Sequence, residues 1–400
     1  MSLPAAREVW MSLPTARLGV LMLLGLATAA AAAQQPPPPS PTAHAAREPA
    51  PPIRHVFVVM LENQSYPVTF DRRSPAPYLA RTLPARGALL TQYYAIGHAS
   101  LGNYIALVSG QAPNSATQLD CSTYSDFRAS EAALDAHGQL HGSGCVYPRI
   151  VRSLPDQLEA AGFTWKAYME DMGKNPARES VTCGHVPLGA AETTNLASRG
   201  DQYAAKHNPF VYFHSIIDDR ARCDSHVVNL ERLPQDLSSV ATTANYIFIT
   251  PNLCSDGHDT HCADGEVGGL AGIDRFLRTW VPRIEAAPAF IADGMLIITF
   301  DESDGGGAEG SSACCGERPL PGARFRPGFN GPGGGRVGAI VLSKFVTPGT
   351  VSAVPYNHYS LLRTIEAIFG LAYLGYAAEP ELRVFGPDVF RAAALPPVSR

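Results

Sequence analysis

Clusters of polar side chains directly follow four apolar runs of this sequence. Each run is rich in β-branched or aromatic residues, as buried strands are, and each stops at carboxylate, amide or imidazole groups. A single polar strand end is ordinary, because every strand must stop. Several carboxylates gathered at one sheet edge would need a cation to be tolerated away from water, so the pattern predicts a metal site. In chain order the groups are Glu62 and Asn63, Glu170 and Asp171, the set Asn252, Asp256, His258 and Asp259, and the pair Asp301 and Glu302.

The types of these side chains limit which metals could bind but do not identify the metal. Carboxylate and amide oxygens suit Mg²⁺, Ca²⁺ or Mn²⁺, and a histidine ligand would also admit Zn²⁺ or iron. We therefore expect a divalent cation whose identity the sequence leaves open.

A serine at the start of an apolar helix is the second candidate for chemistry. The stretch GHASLGNYIALVSG, residues 97–110, places Ser100 where a helix is predicted to begin. As an N-cap residue, Ser100 would need no function. The same position offers backbone N–H groups and the positive end of the helix dipole to a phosphate, and a neighbouring metal would make the hydroxyl a nucleophile. Local sequence supports both interpretations equally.

The elements that must position these groups alternate along the chain. Because apolar strand-like runs alternate with segments of helical period, we predict an α/β fold with a mostly parallel central sheet and helices on both faces. Ligands of such folds bind at the carboxyl ends of the strands, where the polar groups stand. The candidate strands are 56–61, 164–169, 246–250, 295–300 and 337–342, and the candidate helices are 101–109, 154–161, 268–286 and 358–369.

The first part of the chain is predicted to lie outside the fold. Residues 1–33 contain a short apolar run that follows Arg17 and ends in small residues, as a secretory signal peptide does. Residues 34–52 are rich in proline and are expected to form a solvated linker. A single catalytic domain is expected over 53–400. The mature protein would be periplasmic or secreted, with no transmembrane segment.

Composition narrows the class of protein. A net charge of −5 with 17% charged residues does not suggest a nucleic-acid binder. Eight cysteines in an exported chain favour disulfides over a zinc site, and no CxxC pair occurs. Sequence order suggests the pairs 121–145, 183–223, 254–262 and a vicinal 314–315, among 105 possible pairings of eight cysteines.

Seven motifs in order resemble one bacterial phosphoesterase family. That family contains secreted acid phosphatases and phospholipases C, and it belongs to the alkaline-phosphatase-like superfamily, so the resemblance implies an alkaline-phosphatase-like fold. The similarity runs from about His55 to about Gly370. The motifs are ENQSY, HASLGNYIALVSG, YMEDM, KHNPFVYF, TPNLCSDGHD, ITFDES and NHYSLLRTIE.

The resemblance implies a metal site and a nucleophile. Ser100 resembles the serine that becomes phosphorylated during the reaction. The residues that resemble the family's metal ligands are Glu62, Asn63, Asp301 and Glu302. The expected cofactor is a divalent ion, with Ca²⁺, Mg²⁺, Mn²⁺ and Zn²⁺ all possible.

The resemblance also implies residues that contact the substrate. Asn103 matches the asparagine that binds a phosphoryl oxygen in related phosphodiesterases, and Asn252 and His358 are grouped with it as substrate-binding residues. His207 and His258 resemble the catalytic histidines, which would protonate the leaving group. Each of these histidines could instead anchor a loop.

The motif around the serine departs from the family's pattern. The usual H-P-S-L-P-N reads HASLGN here, over residues 98–103. Both prolines are absent, so we expect a less rigid loop, whereas the serine and the asparagine are kept and the chemistry should survive.

Three classes of function stay open. The first is a secreted metal-dependent phosphomonoesterase that forms a phosphoserine, and the second is a phospholipase C acting on phosphodiester headgroups. The third is a catalytically silent binding protein, which the retention of Ser100 and Asn103 disfavours. A glycosidase ranks last, because it would not need a serine in a phosphate-binding turn.

The chain stops at Arg400, without room for the further domains of long phospholipases C, which favours a phosphatase. The expected partner is a small phosphorylated substrate or a phospholipid headgroup.

Replacing Glu62 with alanine should abolish phosphoesterase activity while the protein still folds and is exported. The reason is that Glu62 ends the first predicted strand at the floor of the expected metal site. Turnover of a phosphate ester by the purified variant, compared with the unaltered protein, measures the effect. Full activity in Glu62→Ala would refute the assignment.

Overall fold

The computed structural model describes residues 50–307, 309–320 and 327–391. The predicted signal peptide and residues 34–49 of the predicted linker lie outside the described residues. Within those ranges, no helix has the length and apolar character needed to cross a membrane.

Twelve strands and ten α-helices follow one another along the described chain. The strands are β1 His55–Leu61, β2 Ala88–Leu90, β3 Tyr93–Tyr94, β4 Arg128–Ala129, β5 Gly142–Ser143, β6 Trp165–Met169, β7 Val227–Asn229, β8 Tyr246–Thr250, β9 Gly294–Phe300, β10 Ala339–Ser343, β11 Thr350–Ser352 and β12 Tyr356–Asn357. The α-helices are α1 Tyr66–Thr69, α2 Leu83–Arg86, α3 Ser100–Ser109, α4 Leu154–Ala160, α5 His214–Ile217, α6 Arg220–His226, α7 Leu233–Asp236, α8 Gly269–Glu285, α9 Pro288–Asp293 and α10 His358–Phe369.

The main sheet has eight strands in the order β11-β2-β10-β9-β1-β8-β6-β7. Strands β9, β1, β8, β6 and β7 are parallel to one another. Strand β10 runs antiparallel to its two neighbours, and β11 pairs in parallel with β2. The predicted mostly parallel α/β sheet is therefore confirmed.

The central strands are covered on both faces. Every residue of β1, β8 and β9 is buried. Because successive side chains of a strand point to opposite faces, burial of all of them requires covering layers on both sides. This is why these strands read as continuous apolar runs rather than as an alternating pattern.

The predicted elements agree with the structure to within two residues at each end. The five candidate strands correspond to β1, β6, β8, β9 and β10, and the four candidate helices to α3, α4, α8 and α10. The strands β2, β7 and β11 were not predicted. Each has only three residues, too few for a periodic pattern to be visible.

Register aligns the carboxyl ends of the three central strands. Leu61 at the end of β1 pairs with Phe300 at the end of β9, and Val59 pairs with Ile249 of β8. Two backbone hydrogen bonds tie the segments beyond the strands: Glu62 N–H donates to the carbonyl of Asp256 at 2.8 Å, and Asp301 N–H to that of Leu61 at 2.9 Å. The polar groups after these strands therefore emerge at one edge.

All eight cysteines form disulfides, in the predicted pairs, and none is free. The alternative of a cysteine-bound zinc is therefore wrong. The Cys254–Cys262 bond closes the loop after β8, with a sequence separation of 8. This cross-link limits the conformations of a loop that carries several polar groups.

One histidine of the sheet is buried outside the candidate site. His55 is only 4% exposed, and its Nδ1 lies 2.6 Å from Asp293 Oδ1. It is the first residue of β1, in the central part of the sheet, so the neighbouring elements cover it.

Two helix-terminal glycines give a matched test of backbone packing. Gly110 ends α3 at φ 69°, and a Cβ there would lie 2.1 Å from the carbonyl oxygen of Leu374. Gly162 follows α4 at φ 80°, and a Cβ there would meet nothing within 4 Å. We expect Gly162→Ala to lower the free energy of unfolding by about 1 kcal/mol, the cost of a left-handed residue. Gly110→Ala should cost roughly 3 kcal/mol, because a backbone clash is added.

Urea denaturation with the disulfides intact measures both values. Equal destabilisation by the two alanines would contradict the clash at Gly110.

Candidate active site

Three buried carboxylates converge at the carboxyl edge of the sheet. Glu62 follows β1, Asp301 follows β9, and Asp256 lies in the loop after β8. The three strands are adjacent and parallel, and each of these residues is 0% exposed. The predicted gathering of carboxylates at one edge is present in the structure.

Glu62 joins the sheet to helix α3. Its Oε2 accepts a hydrogen bond from Ser100 Oγ at 2.9 Å, and its Oε1 accepts one from the Tyr104 hydroxyl at 2.6 Å. Ser100 and Tyr104 are one helical turn apart, so both face the same carboxylate. Burial, reinforced by the charges of Asp301 and Asp256, raises the pKa of Glu62 well above its usual value.

His207 lies between two of the carboxylates. Its Nε2 is 3.3 Å from Glu62 Oε2 and its Nδ1 is 3.2 Å from Asp256 Oδ2, and the side chain is 1% exposed. Neither approach has hydrogen-bond geometry, so both ring nitrogens and Asp256 Oδ2 have no hydrogen-bond partner within the described chain. The same holds for Asp301 Oδ2. The ring stacks on Tyr104 at a centroid distance of 5.3 Å.

These orphaned atoms fit a divalent cation. One ligand atom each from Glu62, His207 and Asp256 lie within 4.8 Å of one another. Buried polar atoms without partners are costly, and a cation among them would satisfy several at once. Burial lowers the pKa of His207 well below its usual value, which keeps the ring neutral, as a metal ligand must be. A set of nitrogen and oxygen donors leaves the metal's identity open.

The other predicted ligands lie beside this cluster. Asn63 is half-buried, and its backbone N–H donates to Asp301 Oδ1 at 3.1 Å. The carboxylate of Glu302 is bonded to His98 Nδ1, and His98 Nε2 donates to the carbonyl of Gly310 at 2.6 Å. The structure thus brings Asn63 and Glu302 to the same edge, with Glu302 held by a histidine.

Ser100 occupies the first position of α3 and is 1% exposed. The residue before it, Ala99, has φ 71°, a left-handed conformation that is unusual for a residue with a Cβ. Strained residues of this kind cluster at functional sites. The N–H of Leu101 donates to Asp120 Oδ1 at 3.0 Å. One of the N–H groups that lack a partner within the helix is therefore already hydrogen-bonded.

Asn103 holds the loop in front of the serine. Its Oδ1 accepts from the N–H groups of Ile96 at 2.9 Å and Gly97 at 3.0 Å, and its Nδ2 donates to the carbonyl of Gly97 at 2.8 Å. These bonds restrain the loop despite the two missing prolines. In this structure the side chain is used within the protein, at the base of the serine turn.

His358 supports the backbone of the acidic pair. Its Nε2–H donates to the carbonyl of Asp301 at 2.6 Å, and its Nδ1 accepts from the Tyr93 hydroxyl at 3.0 Å. Burial lowers the pKa of His358 to about 4, so the ring is neutral at ordinary pH. Both ring nitrogens are therefore occupied by the protein.

Asn252 braces the loop that carries Asp256. Its Nδ2 donates to Asp171 Oδ2 at 2.7 Å, and its Oδ1 accepts from the N–H of Ser255 at 2.9 Å. The backbone N–H of Asn252 donates to Glu170 Oε2 at 2.9 Å. The polar end of β6 thus supports the loop from outside the cluster.

His258 stands at the open side of the site. Its side chain is 30% exposed, and its Nδ1 lies 2.7 Å from Asp259 Oδ1. Its Nε2 is 3.4 Å from Lys206 Nζ, and its ring centroid is 5.9 Å from that of His207. His258 is the predicted histidine that remains accessible to a ligand.

Several residues of this site have no role predicted from the sequence. Asp256 lies in a polar loop in which Asn252 and His258 are the residues with a predicted role. Lys206 precedes His207 in KHNPF, and Tyr104 follows Ser100 by one helical turn, so both could be identified from their closeness in sequence to a predicted site residue. Asp120 could not be identified in this way, because it contacts Lys206 from 86 residues away in the chain.

The chain is similar to known proteins at the level of a family. A sequence model described as the Phosphoesterase family matches residues 69–372. A phosphatidylinositol-3-phosphatase from Mycobacterium tuberculosis is 26% identical over 348 residues, covering 86% of this chain and 87% of that protein. A probable acid phosphatase from Kluyveromyces lactis is 24% identical over 328 residues, or 80% of this chain. The chain spans 59% of that fungal protein.

One solved structure that this chain matches has low similarity to it. It is a protein in the alkaline phosphatase superfamily from Vibrio parahaemolyticus, with a TM-score of 0.42 and 11% identity. The alignment covers 82% of this chain and 70% of that chain.

Divalent cations should raise the melting temperature of the protein, and Asp256→Asn should remove that effect. Asp256 supplies one of the clustered ligand atoms, and its neutral amide would lessen the repulsion among the carboxylates. Stabilisation of the unaltered protein should reach about 2.7 kcal/mol at a cation concentration 100 times the Kd. Thermal melts with and without chelator measure the shift for Mg²⁺, Ca²⁺, Mn²⁺ and Zn²⁺.

The matched control is Asp264→Asn, an exposed carboxylate two residues after the disulfide-closed loop. It should keep the full metal-induced shift. An unchanged shift in Asp256→Asn would rule out the cluster as the metal site.

Proposed function

The chain belongs to the Phosphoesterase family, and from this premise we propose that it is a metal-dependent phosphomonoesterase that works through a phosphoserine at Ser100. The observation that carries the proposal is the 2.9 Å hydrogen bond from Ser100 Oγ to Glu62. That carboxylate also belongs to the candidate cation cluster. The proposed nucleophile and a proposed metal ligand are therefore in direct contact.

The residues that would hold the cation are Glu62, His207 and Asp256, with Asp301 beside them. A bound divalent ion would polarise a phosphoryl oxygen and lower the pKa of the serine hydroxyl. Asn63 and Glu302, which the family resemblance implies as ligands, remain predictions.

Ser100 would attack phosphorus in line with the leaving oxygen. A new bond forms between Oγ and phosphorus, the Oγ proton passes to Glu62, the bond to the leaving oxygen breaks, and the phosphoserine remains on the enzyme. Glu62 and the positive φ of Ala99 orient the hydroxyl, and the start of α3 offers its dipole to the phosphoryl charge. Water then attacks phosphorus and gives its proton to His258, the bond to Oγ breaks, and Oγ regains its proton from Glu62 as phosphate is released.

His258 is the proposed donor of a proton to the leaving oxygen. Its partial exposure gives it access to substrate, and Asp259 holds the ring through Nδ1. A carboxylate on one ring nitrogen fixes the orientation of a histidine. His207, placed between two carboxylates, is assigned to the metal cluster instead of to proton transfer.

Phosphate monoesters are the proposed substrates. The names of the two relatives, probable acid phosphatase and phosphatidylinositol-3-phosphatase, both denote removal of a phosphate group. The second name supports a phosphate on a lipid headgroup as one candidate substrate. Hydrolysis of a phosphodiester in the manner of a phospholipase C would use the same catalytic residues, and it is the alternative that the assay below separates.

Export to the periplasm or the medium is part of the proposal. Four disulfides support an oxidising compartment. The signal peptide over 1–33 is a prediction that N-terminal sequencing of the exported protein would check.

Ser100→Ala should lower kcat for p-nitrophenyl phosphate by roughly 10³-fold or more, because the nucleophile is removed. Acid quenching of the unaltered protein during turnover should trap phosphate on the peptide that contains Ser100, detected by mass spectrometry. Chelator should abolish turnover, and a divalent cation should restore it. Ser109→Ala, in the last position of the same helix, is the control and should keep its activity.

Parallel assays with p-nitrophenyl phosphorylcholine distinguish the two substrate classes. Preferential turnover of this diester would replace the phosphatase assignment by phospholipase C. Full monoester activity in Ser100→Ala would refute the phosphoserine.

A further inference from the structure

A buried lysine stands at the edge of the candidate active site. The side chain of Lys206 is 10% exposed, and its Nζ lies 3.2 Å from Asp120 Oδ2. The same Nζ is 3.4 Å from His258 Nε2. No third hydrogen-bond partner of this ammonium occurs within residues 50–307, 309–320 and 327–391. A lysine ammonium has three N–H groups, so one remains available.

Asp120 fixes this ammonium next to the start of helix α3. Its Oδ2 bonds Lys206, and its Oδ1 accepts the N–H of Leu101, the residue after Ser100. A single carboxylate therefore separates the ammonium from the helix start. Asp120 is itself held, because the neighbouring Cys121 is cross-linked to Cys145.

The hydrogen bonds of His258 orient its ring towards the same ammonium. Nδ1 of His258 lies against Asp259, so Nε2 is the ring nitrogen on the side of Lys206. The two side chains therefore lie together on the open side of the site. Both would meet the same ligand.

We propose that Lys206 is a catalytic residue that donates an N–H to a non-bridging phosphoryl oxygen of the substrate at Ser100. This inference rests on the proposed function. Negative charge on the phosphoryl oxygens must be matched by fixed cations and donors, and a lysine held by Asp120 supplies both without rearrangement. Neither the family match nor the named relatives assigns such a role to this lysine.

A structural role is the competing account, in which Lys206 only offsets the charge of Asp120. The two accounts differ for a double substitution. If the lysine merely neutralises the aspartate, removing both charges in Asp120→Asn/Lys206→Met should restore what Lys206→Met loses. If the lysine binds the phosphoryl group, the double variant should stay as impaired as the single one.

Lys206→Met should lower kcat/KM for p-nitrophenyl phosphate roughly 10- to 100-fold, the range expected for one charge-assisted hydrogen bond. The inhibition constant of inorganic phosphate should rise by a similar factor. Lys206→Arg should recover part of both losses, since it keeps the charge. The control is Lys166→Met, which removes another part-buried ion pair, 2.7 Å from Asp236, on strand β6. The control should change neither constant.

Binding of inorganic phosphate separates this proposal from the proposed function. Calorimetry on Ser100→Ala protein, with and without Lys206→Met, needs no turnover. Weaker phosphate binding after Lys206→Met supports the lysine contact even if p-nitrophenyl phosphate is not hydrolysed. Equal phosphate binding, or recovery of kcat/KM in the double variant, overturns it. Lys206→Gln, whose amide can still bond Asp120, replaces the methionine variant if that one fails to fold, with the same expected losses.

Discussion

Burial of three carboxylates at one sheet edge is the constraint on which the rest of this structure depends. Glu62, Asp256 and Asp301 all lie out of contact with water, where like charges cannot be screened. The protein supplies few compensating charges there. A buried neutral histidine with both nitrogens unbonded lies among them, and a buried lysine stands at the rim. A cation site would explain this arrangement, because a bound divalent ion would remove the repulsion among the three carboxylates.

Glu62 transmits this constraint to Ser100, the proposed nucleophile. The same carboxylate that faces His207 accepts hydrogen bonds from Ser100 and Tyr104 of α3. The helix start is therefore fixed relative to the sheet by the group that would bind the metal. Correct placement of a nucleophile to within a few tenths of an ångström needs such direct links, since loops alone are less precise.

Three further residues hold the loops around the carboxylate cluster and Ser100 in place. Asn103 restrains the turn before the serine, Asn252 braces the loop of Asp256, and His358 bonds the backbone of Asp301. All three were assigned to substrate from the family resemblance, and in the structure each satisfies backbone groups of a neighbouring loop. Buried polar backbone must be paired, so polar side chains near a site often serve the loops that carry it.

The sequence by itself determined the central strands, the long helices, the parallel sheet and the edge at which polar groups gather. These follow from local patterns: continuous apolar runs, helical period, and polar residues where strands stop. Only the tertiary structure decided which polar groups meet. Asp256 joins Glu62 because β8 lies beside β1, and Asp120 reaches Lys206 across 86 residues. Such contacts depend on strand order and on the approach of distant loops, and neither leaves a periodic trace in the chain.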